Sequence, residues 1–149
     1  MIIYRQFEKT YADDIYKLQN EWVEENITYG YCADSYDEII DYNKEYCYVA
    51  IHEKQIIGYV AAEMRVNDGS GYMNVFPKGA DFLQVNDLYV SPAYRSNHIG
   101  EKLLSLVEEK AKENNIEHFY LSSATKDAEA VRRFYQRNGY RIWTTVFFK

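Results

Sequence analysis

"LYVSPAYRSNHIGEKLL", from Leu88 to Leu104, decides the fold. Strand-forming residues run to Val90, Pro92 turns the chain, and a helix follows with Ile99, Leu103, Leu106, Val107 and Ala111 on one face. Between strand and helix stand Arg95 and a single glycine, Gly100. A helix start exposes several unpaired N–H groups and about half a positive charge. A strand that feeds such an end through a tight loop makes a cradle for an anion. Here the amides of Arg95, Ser96, Asn97, His98, Ile99 and Gly100 are placed to wrap a pyrophosphate, with the Arg95 side chain adding charge. Loops of this kind usually carry two or three glycines. This one has Asn97 and His98 beside its only glycine, and the same pattern also serves ordinary strand-to-helix turns.

Outward from this stretch the periodicity alternates between strand and helix. "MIIYRQF" reads as a first strand, and Thr10 opens a helix with Asp13 in its first turn and Tyr11, Ile15, Leu18 and Trp22 as its buried stripe. The sequence breaks this helix at Gly30. Ser35 and Glu38 form a capping box for a short helix that turns Ile39, Ile40 and Tyr42 inward. "CYVAIHEKQIIGYVAAEM" predicts two strands joined near Glu53–Gln55. A long connection over 66–81, with Tyr72 and Phe76 as contacts, leads to the strand "DFLQVNDLYV". After the loop helix come a strand, "IEHFYLSS", and a helix, "KDAEAVRRFYQRN", with Val131, Phe134 and Tyr135 inward and Gly139 as its left-handed stop. "YRIWTTVFFK" predicts a final strand. The order β-α-α-β-β-β-α-β-α-β is that of one α/β domain, a mixed sheet with helices on its faces.

Composition excludes several classes. With 47% hydrophobic residues a packed core is expected, not disorder. No apolar run approaches a membrane span, and the opening residues are too weakly apolar for a signal peptide. Cys32 and Cys47 lack metal-ligand spacing, and the scattered His52, His98 and His118 form no metal cluster, so a cytoplasmic protein with reduced thiols and no metal is expected. A net charge of −6 argues against a nucleic-acid binder, and nothing calls for a membrane partner.

Three stretches together carry a resemblance. "DLYVSPAYRSNHIGEKLL" resembles the acyl-coenzyme A loop of the GNAT superfamily of N-acyltransferases, whose pattern is a strand, Arg or Gln, two residues, Gly, any residue, and Gly or Ala. Arg95 matches the first position and Gly100 the last, while His98 stands where the middle glycine belongs. "YVAIHEKQIIGYVAAE" is similar to the family's preceding hairpin, and "AEAVRRFYQRNGYR" resembles its last helix. His and Asn are among the residues that best tolerate a positive φ, so His98 reads as a substitute for that glycine.

The resemblance implies a mostly antiparallel GNAT-like sheet flanked by about four helices, and transfer of an acetyl group from acetyl-CoA to a primary amine by direct attack in a ternary complex. It implies Leu88 and Val90 as main-chain partners of the pantetheine amides, with the oxyanion donor at the backbone N–H near Val90. It places Arg95, Ser96, Asn97, His98, Ile99 and Gly100 at the coenzyme phosphates and makes Tyr135 the general acid toward the departing sulfur. For the general base, Ser122 or Ser123 stands where some members carry a carboxylate, which leaves Asp87, Glu63 or a water chain. The alternative is a GNAT-like module that binds coenzyme A without turnover.

The charge is uneven. The first 50 residues hold eleven Asp and Glu against four Lys and Arg, while the rest of the chain is nearly balanced. In the GNAT arrangement the first two helices border the acceptor. Glu24, Glu25, Tyr29 and Tyr31 therefore stand as candidate acceptor contacts, and the acceptor is expected to be a cationic small-molecule amine or a basic peptide, met by carboxylates and ring faces. The bland alternative is a solvated acidic surface. Either a monomer or a homodimer paired through the sheet is compatible with the sequence.

Overall fold

The structure is a computed structural model that describes residues 1–71 and 75–149. Its strands are β1 (Ile3–Gln6), β2 (Cys47–His52), β3 (Gln55–Val66), β4 (Asp81–Val90) and β5 (Phe119–Tyr120), and its α-helices are α1 (Ala12–Glu25), α2 (Tyr36–Ile40), α3 (Ile99–Glu113) and α4 (Ala128–Arg137). The five strands lie side by side in chain order. Neighbours from β1 to β4 are antiparallel, and β5 joins β4 in parallel. Among the described residues no helix is long and apolar enough to cross a membrane.

Alternation along the strands builds two cores. Phe7, Val49, Tyr59, Ala61 and Tyr89 face α1 and α2, where Ile15, Leu18 and Ile39 are fully or almost fully buried. Ala50, Val60, Ala62, Leu83 and Val85 face α3, which buries Ile99, Leu103, Leu104, Val107 and Ala111. The middle of β3 is thus covered on both sides, as its unbroken run of buried residues from Ile57 to Ala62 reflects. The turn between β2 and β3 places Glu53 and Lys54 at φ 47° and 67°, the geometry of a tight hairpin.

Local signals translate closely. The Ser35–Glu38 capping box forms in both directions, and Asp127 caps α4 through the Ala130 N–H. Gly139 stops α4 at φ 91°. The first helix differs at both ends. A short 3-10 turn occupies Lys9–Tyr11, α1 starts at Ala12, and Asn26 ends it in the left-handed region four residues before Gly30.

Two sequence expectations fail at the far edge of the sheet. Of "IEHFYLSS" only Phe119–Tyr120 pairs with β4. The chain then turns away, and Tyr29 N–H donates to Ala124 O at 2.7 Å while Lys126 N–H donates to Ile27 O at 2.8 Å. "YRIWTTVFFK" forms no strand at all. A β-prone segment becomes a strand only where a neighbour offers a ladder, and so short a β5 offers none. Instead Trp143 packs edge-on to Tyr120 at 5.4 Å, and Phe148 edge-on to Tyr29 at 5.0 Å. In the long connection Phe76 stacks on His118 at 4.9 Å, whereas Tyr72 lies outside the described residues. Cys32 is exposed and Cys47 buried, both as free thiols.

Candidate active site

The departure of β5 opens the lower half of β4. Beyond Gln84, β4 keeps its antiparallel neighbour β3, and among the described residues no strand pairs with its other side. A bulge at Asn86, where Ala61 faces Asp87 but Ala62 faces Val85, resets which peptide groups point into that gap. Ser91 N–H donates to Ile57 O at 2.8 Å, toward β3. By alternation the peptide groups of Leu88 and Val90 face the opposite way, into the gap. Close approach of the two strands here depends on Gly58, where a Cβ would come within 2.9 Å of Tyr89 O.

The gap is floored by half-buried apolar groups. Leu88, Val90, Phe134 and Tyr135 all pack against the α3 side of the core. No residue of α4 is fully buried, so Val131, Phe134 and Tyr135 present a partly open face. The start of α3 meets this floor directly, since a Cβ on Gly100 would lie 3.6 Å from Phe134 Cζ and 3.9 Å from Val90 Cγ2, which is ordinary contact. Burial pushes the Tyr135 phenol up to about 12, so it keeps its proton throughout the neutral range. Its ring meets Phe134 and Tyr140 edge-on at 5.0 and 5.6 Å.

The loop ahead of α3 turns through positive φ at residues other than glycine. Ser96 and His98 adopt φ 65° and 60°, so His98 takes the left-handed conformation that a glycine would favour. Its imidazole is 84% exposed and lies against the Glu101 carboxylate. Asn97 Nδ2 donates to Tyr94 O at 3.0 Å and Arg95 O at 3.1 Å, which ties the loop to itself. The first intrahelical bond runs from Lys102 N–H to His98 O, so the amides of Ile99, Gly100 and Glu101 have no helical acceptor. The Arg95 side chain does not turn toward these amides. It donates from Nε to Val90 O at 2.9 Å and grips both oxygens of Glu25 at 2.7 and 2.9 Å.

On the other face of the sheet, Asp87 enters a polar hub. Tyr59 Oη donates to Asp87 Oδ2 at 2.7 Å. Gln19, fully buried on the stripe of α1, directs its amide nitrogen at Tyr42 Oη at 2.7 Å, Asp34 Oδ2 at 3.3 Å and Asp87 Oδ2 at 3.4 Å. Gln19 Oε1 accepts from the Asp34 N–H at 2.7 Å, and Tyr42 Oη donates to the Asp34 carboxylate. Burial pushes the Asp87 carboxyl up to about 6 against the pull of the Tyr59 hydroxyl, and the Asp34 charge adds to the rise. Asp34, Tyr42 and Asp87 of this hub line a cavity of about 820 Å³ together with Glu38, Asp41, Glu45 and Glu63. Among the described residues no lysine or arginine lines it.

Of the residues named from sequence, Asp87 and Glu63 share this cavity. Glu63 lies at its edge beside Arg65, at 3.5 Å. Tyr31 stacks on Trp22 at 4.0 Å, and burial, with the Asp87 charge, raises its phenol. Glu24 is exposed, Glu25 is committed to Arg95 and Tyr89, and Tyr29 is exposed beneath Lys126. Gln19, Tyr42 and Tyr59 escaped the sequence reading as site residues. Gln19 left a trace, because it follows Ile15 by one helical turn on an otherwise apolar stripe.

The acetyltransferase (GNAT) family model matches residues 12–140, from the start of α1 to the end of the α4 stop. The chain belongs to the GNAT acetyltransferase family. It is an N-acetyltransferase, and curated and structural relatives carry that activity in their names. It is 27% identical over 132 residues to the aminoalkylphosphonate N-acetyltransferase of Salmonella typhimurium, spanning 87% of this chain and 79% of that protein. The fold superposes on the aminoglycoside N-acetyltransferase AAC(6')-Iy in complex with a bisubstrate analogue, CoA-S-monomethyl-acetylneamine, with a TM-score of 0.75 at 17% identity over 100% of this chain and 97% of that one. It also superposes on a ribosomal-protein-alanine N-acetyltransferase from Brucella melitensis biovar Abortus 2308, with a TM-score of 0.69 at 14% identity over 100% and 99% of the two chains. These two likenesses are of fold.

Proposed function

We propose that this GNAT protein, a single domain over residues 1–149, transfers the acetyl group of acetyl-CoA to the primary amine of a cationic small molecule or basic peptide, in a ternary complex. The acidic cavity around Asp87 carries the acceptor half of this reading. Its carboxylates, Asp34, Glu38, Asp41, Glu45, Glu63 and Asp87, face no lining cation among the described residues. Charges gathered in one cleft act together, and they favour an acceptor with more than one ammonium group. The family supports the donor half. The amides of Ser96–Gly100 would take the pyrophosphate, and the gap-facing peptide group of Leu88 a pantetheine amide, while the Val90 carbonyl, named from sequence for the same task, already accepts from Arg95 Nε.

Asp87 joins the two halves, being next in the chain to Leu88. A carboxyl near 6 is mostly ionised at neutral pH and would take a proton, directly or through water, from the acceptor's ammonium, leaving the neutral amine that attacks. The nitrogen then forms the new C–N bond and gives up its second proton to water while the C–S bond breaks. The Val90 N–H would stabilise the developing oxyanion. The sulfur takes its proton from Tyr135. Because that phenol is less acidic than a thiol of pKa roughly 8.5, the transfer must accompany C–S cleavage and not follow it.

The test is thiol release from acetyl-CoA with amines graded by charge. A triamine or lysine-rich peptide is expected to turn over well above a neutral monoamine. A preference for an aminoalkylphosphonate, the acceptor class named in the Salmonella relative, would overturn the cationic reading.

A further inference from the structure

Arg95 is the only cation in the loop, and every polar bond recorded for its side chain leads away from the cradle amides. Its guanidinium makes two parallel bonds to Glu25 at the C-terminal end of α1 and a third to the carbonyl of Val90 at the end of β4. It also lies 5.4 Å from the centre of the Tyr89 ring. Glu25 is only 18% exposed in its side chain and accepts a further bond from the Tyr89 hydroxyl. One helical turn earlier, both carboxylate oxygens of Glu21 accept from Ser91 Oγ, at 2.7 and 2.9 Å. Two turns of α1 are thus bolted to the β4–α3 junction. Burial alone would raise the Glu25 carboxyl, but Arg95 and Tyr89 outweigh it and hold it below the ordinary range. The carboxylate therefore stays charged through the neutral range.

The loop needs such a hold. Two of its non-glycine residues, Ser96 and His98, occupy the left-handed region, which costs free energy unless the surroundings over-determine it. A fork of planar donors fixes position and orientation together, as a flexible point charge does not.

We propose that Arg95 is a positioning residue and not a phosphate ligand: it clamps the loop to α1 through Glu25 and to β4 through Val90, and so holds the amides of Ser96–Gly100 in the shape that receives an anion. The proposal rests on the coenzyme reading above and deepens it. It couples α1, whose Gln19 bonds to Asp34 and Asp87, to the loop that takes the donor.

The competing account has Arg95 swing onto the phosphates when coenzyme arrives, and the two differ in sign. If Glu25 merely sequesters a phosphate ligand, Glu25→Gln frees Arg95 and tightens coenzyme A binding. If Glu25 anchors a clamp, Glu25→Gln loosens the loop and weakens binding, by about 3- to 10-fold. Calorimetry with coenzyme A on Glu25→Gln, Arg95→Gln, the double variant and Arg95→Lys decides this. The clamp is expected to give equal losses for both single changes and no further loss in the double variant. Arg95→Lys is expected to fail to restore affinity, and the slope of affinity against salt to stay unchanged in Arg95→Gln. Tighter binding by Glu25→Gln, additive losses, full rescue by Lys or a reduced salt slope would each overturn it.

Hydrogen exchange of the 96–100 amides, read on the free protein, gives a second arm. Both single variants are expected to exchange faster there while the α3 interior is unchanged, and unchanged exchange would contradict the clamp. If the wild-type protein fails to bind coenzyme A, the donor reading falls, and the exchange arm still decides the role of Arg95.

Discussion

In the proposed mechanism Asp87 trades stability for chemistry. Its folded-state value of about 6 lies above the ordinary 3.8, so the native state holds this proton more tightly than the unfolded chain. Stability therefore falls as pH rises through that window, and above it the charged form costs on the order of 1–3 kcal/mol. Asp87→Asn, which can still accept from Tyr59, is expected to raise the melting temperature at pH 8. The same change is expected to lower kcat/KM by about 10²-fold or more and to remove the acid limb, inflecting near 6, from the pH–rate profile. A stabilised variant with full activity would make Asp87 an ordinary buried carboxyl. At the sulfur, Tyr135→Phe is expected to keep the fold and coenzyme binding and to lower kcat by about 10²-fold. With the phenol raised to about 12, no alkaline limb from Tyr135 should appear below roughly pH 11. Unchanged kcat would return Tyr135 to the core. Residues of this kind were only partly legible in the sequence. Tyr135 could be named because the resemblance gave it a place, whereas Asp87 stood only as one candidate base beside Glu63 and a water chain. Gln19, Asp34 and Tyr42 work through contacts 8 to 68 positions apart along the chain, which no local pattern encodes.

In the proposed function the loop and its helix are the element on which donor binding turns. At Gly100 the space toward Phe134 and Val90 admits one methyl at ordinary contact but not a branched side chain. Gly100→Ala is therefore expected to bind acetyl-CoA nearly as wild type, and Gly100→Val to lose at least about tenfold, through overpacking against Phe134. His98→Gly is expected to bind equally well or better, because His98 already holds the left-handed geometry and exposes its ring. Calorimetry on the three variants checks this, and normal binding by Gly100→Val would refute the cradle. Helices and the hairpin were legible because their signals are local: the Ser35–Glu38 box, the Gly139 stop, the two-residue turn at Glu53 and Lys54. The ends of the sheet were not. Strand propensity in "YRIWTTVFFK" is real, but a strand exists only as half of a pair, and β5 departs from β4 after Tyr120. That same departure exposes the peptide groups of Leu88 and Val90.

For the whole molecule, the claim is that charge selects the acceptor. The sequence showed where the acidic residues lie along the chain, and folding redistributes their roles. Glu21 and Glu25 are spent on Ser91 and Arg95, while Asp34, Asp41, Glu45 and Asp87 gather with Glu63 across the sheet. Single exposed carboxylates contribute roughly 0–1 kcal/mol each, so selection must come from several together and must be screened by salt. The direct measurement is kcat/KM for a triamine from low to moderate ionic strength, on the wild type and on Asp41→Asn with Glu63→Gln. Wild-type kcat/KM is expected to fall steeply with salt, and the double variant to start about tenfold lower with a shallower slope. A rate indifferent to both salt and the double change would contradict the account.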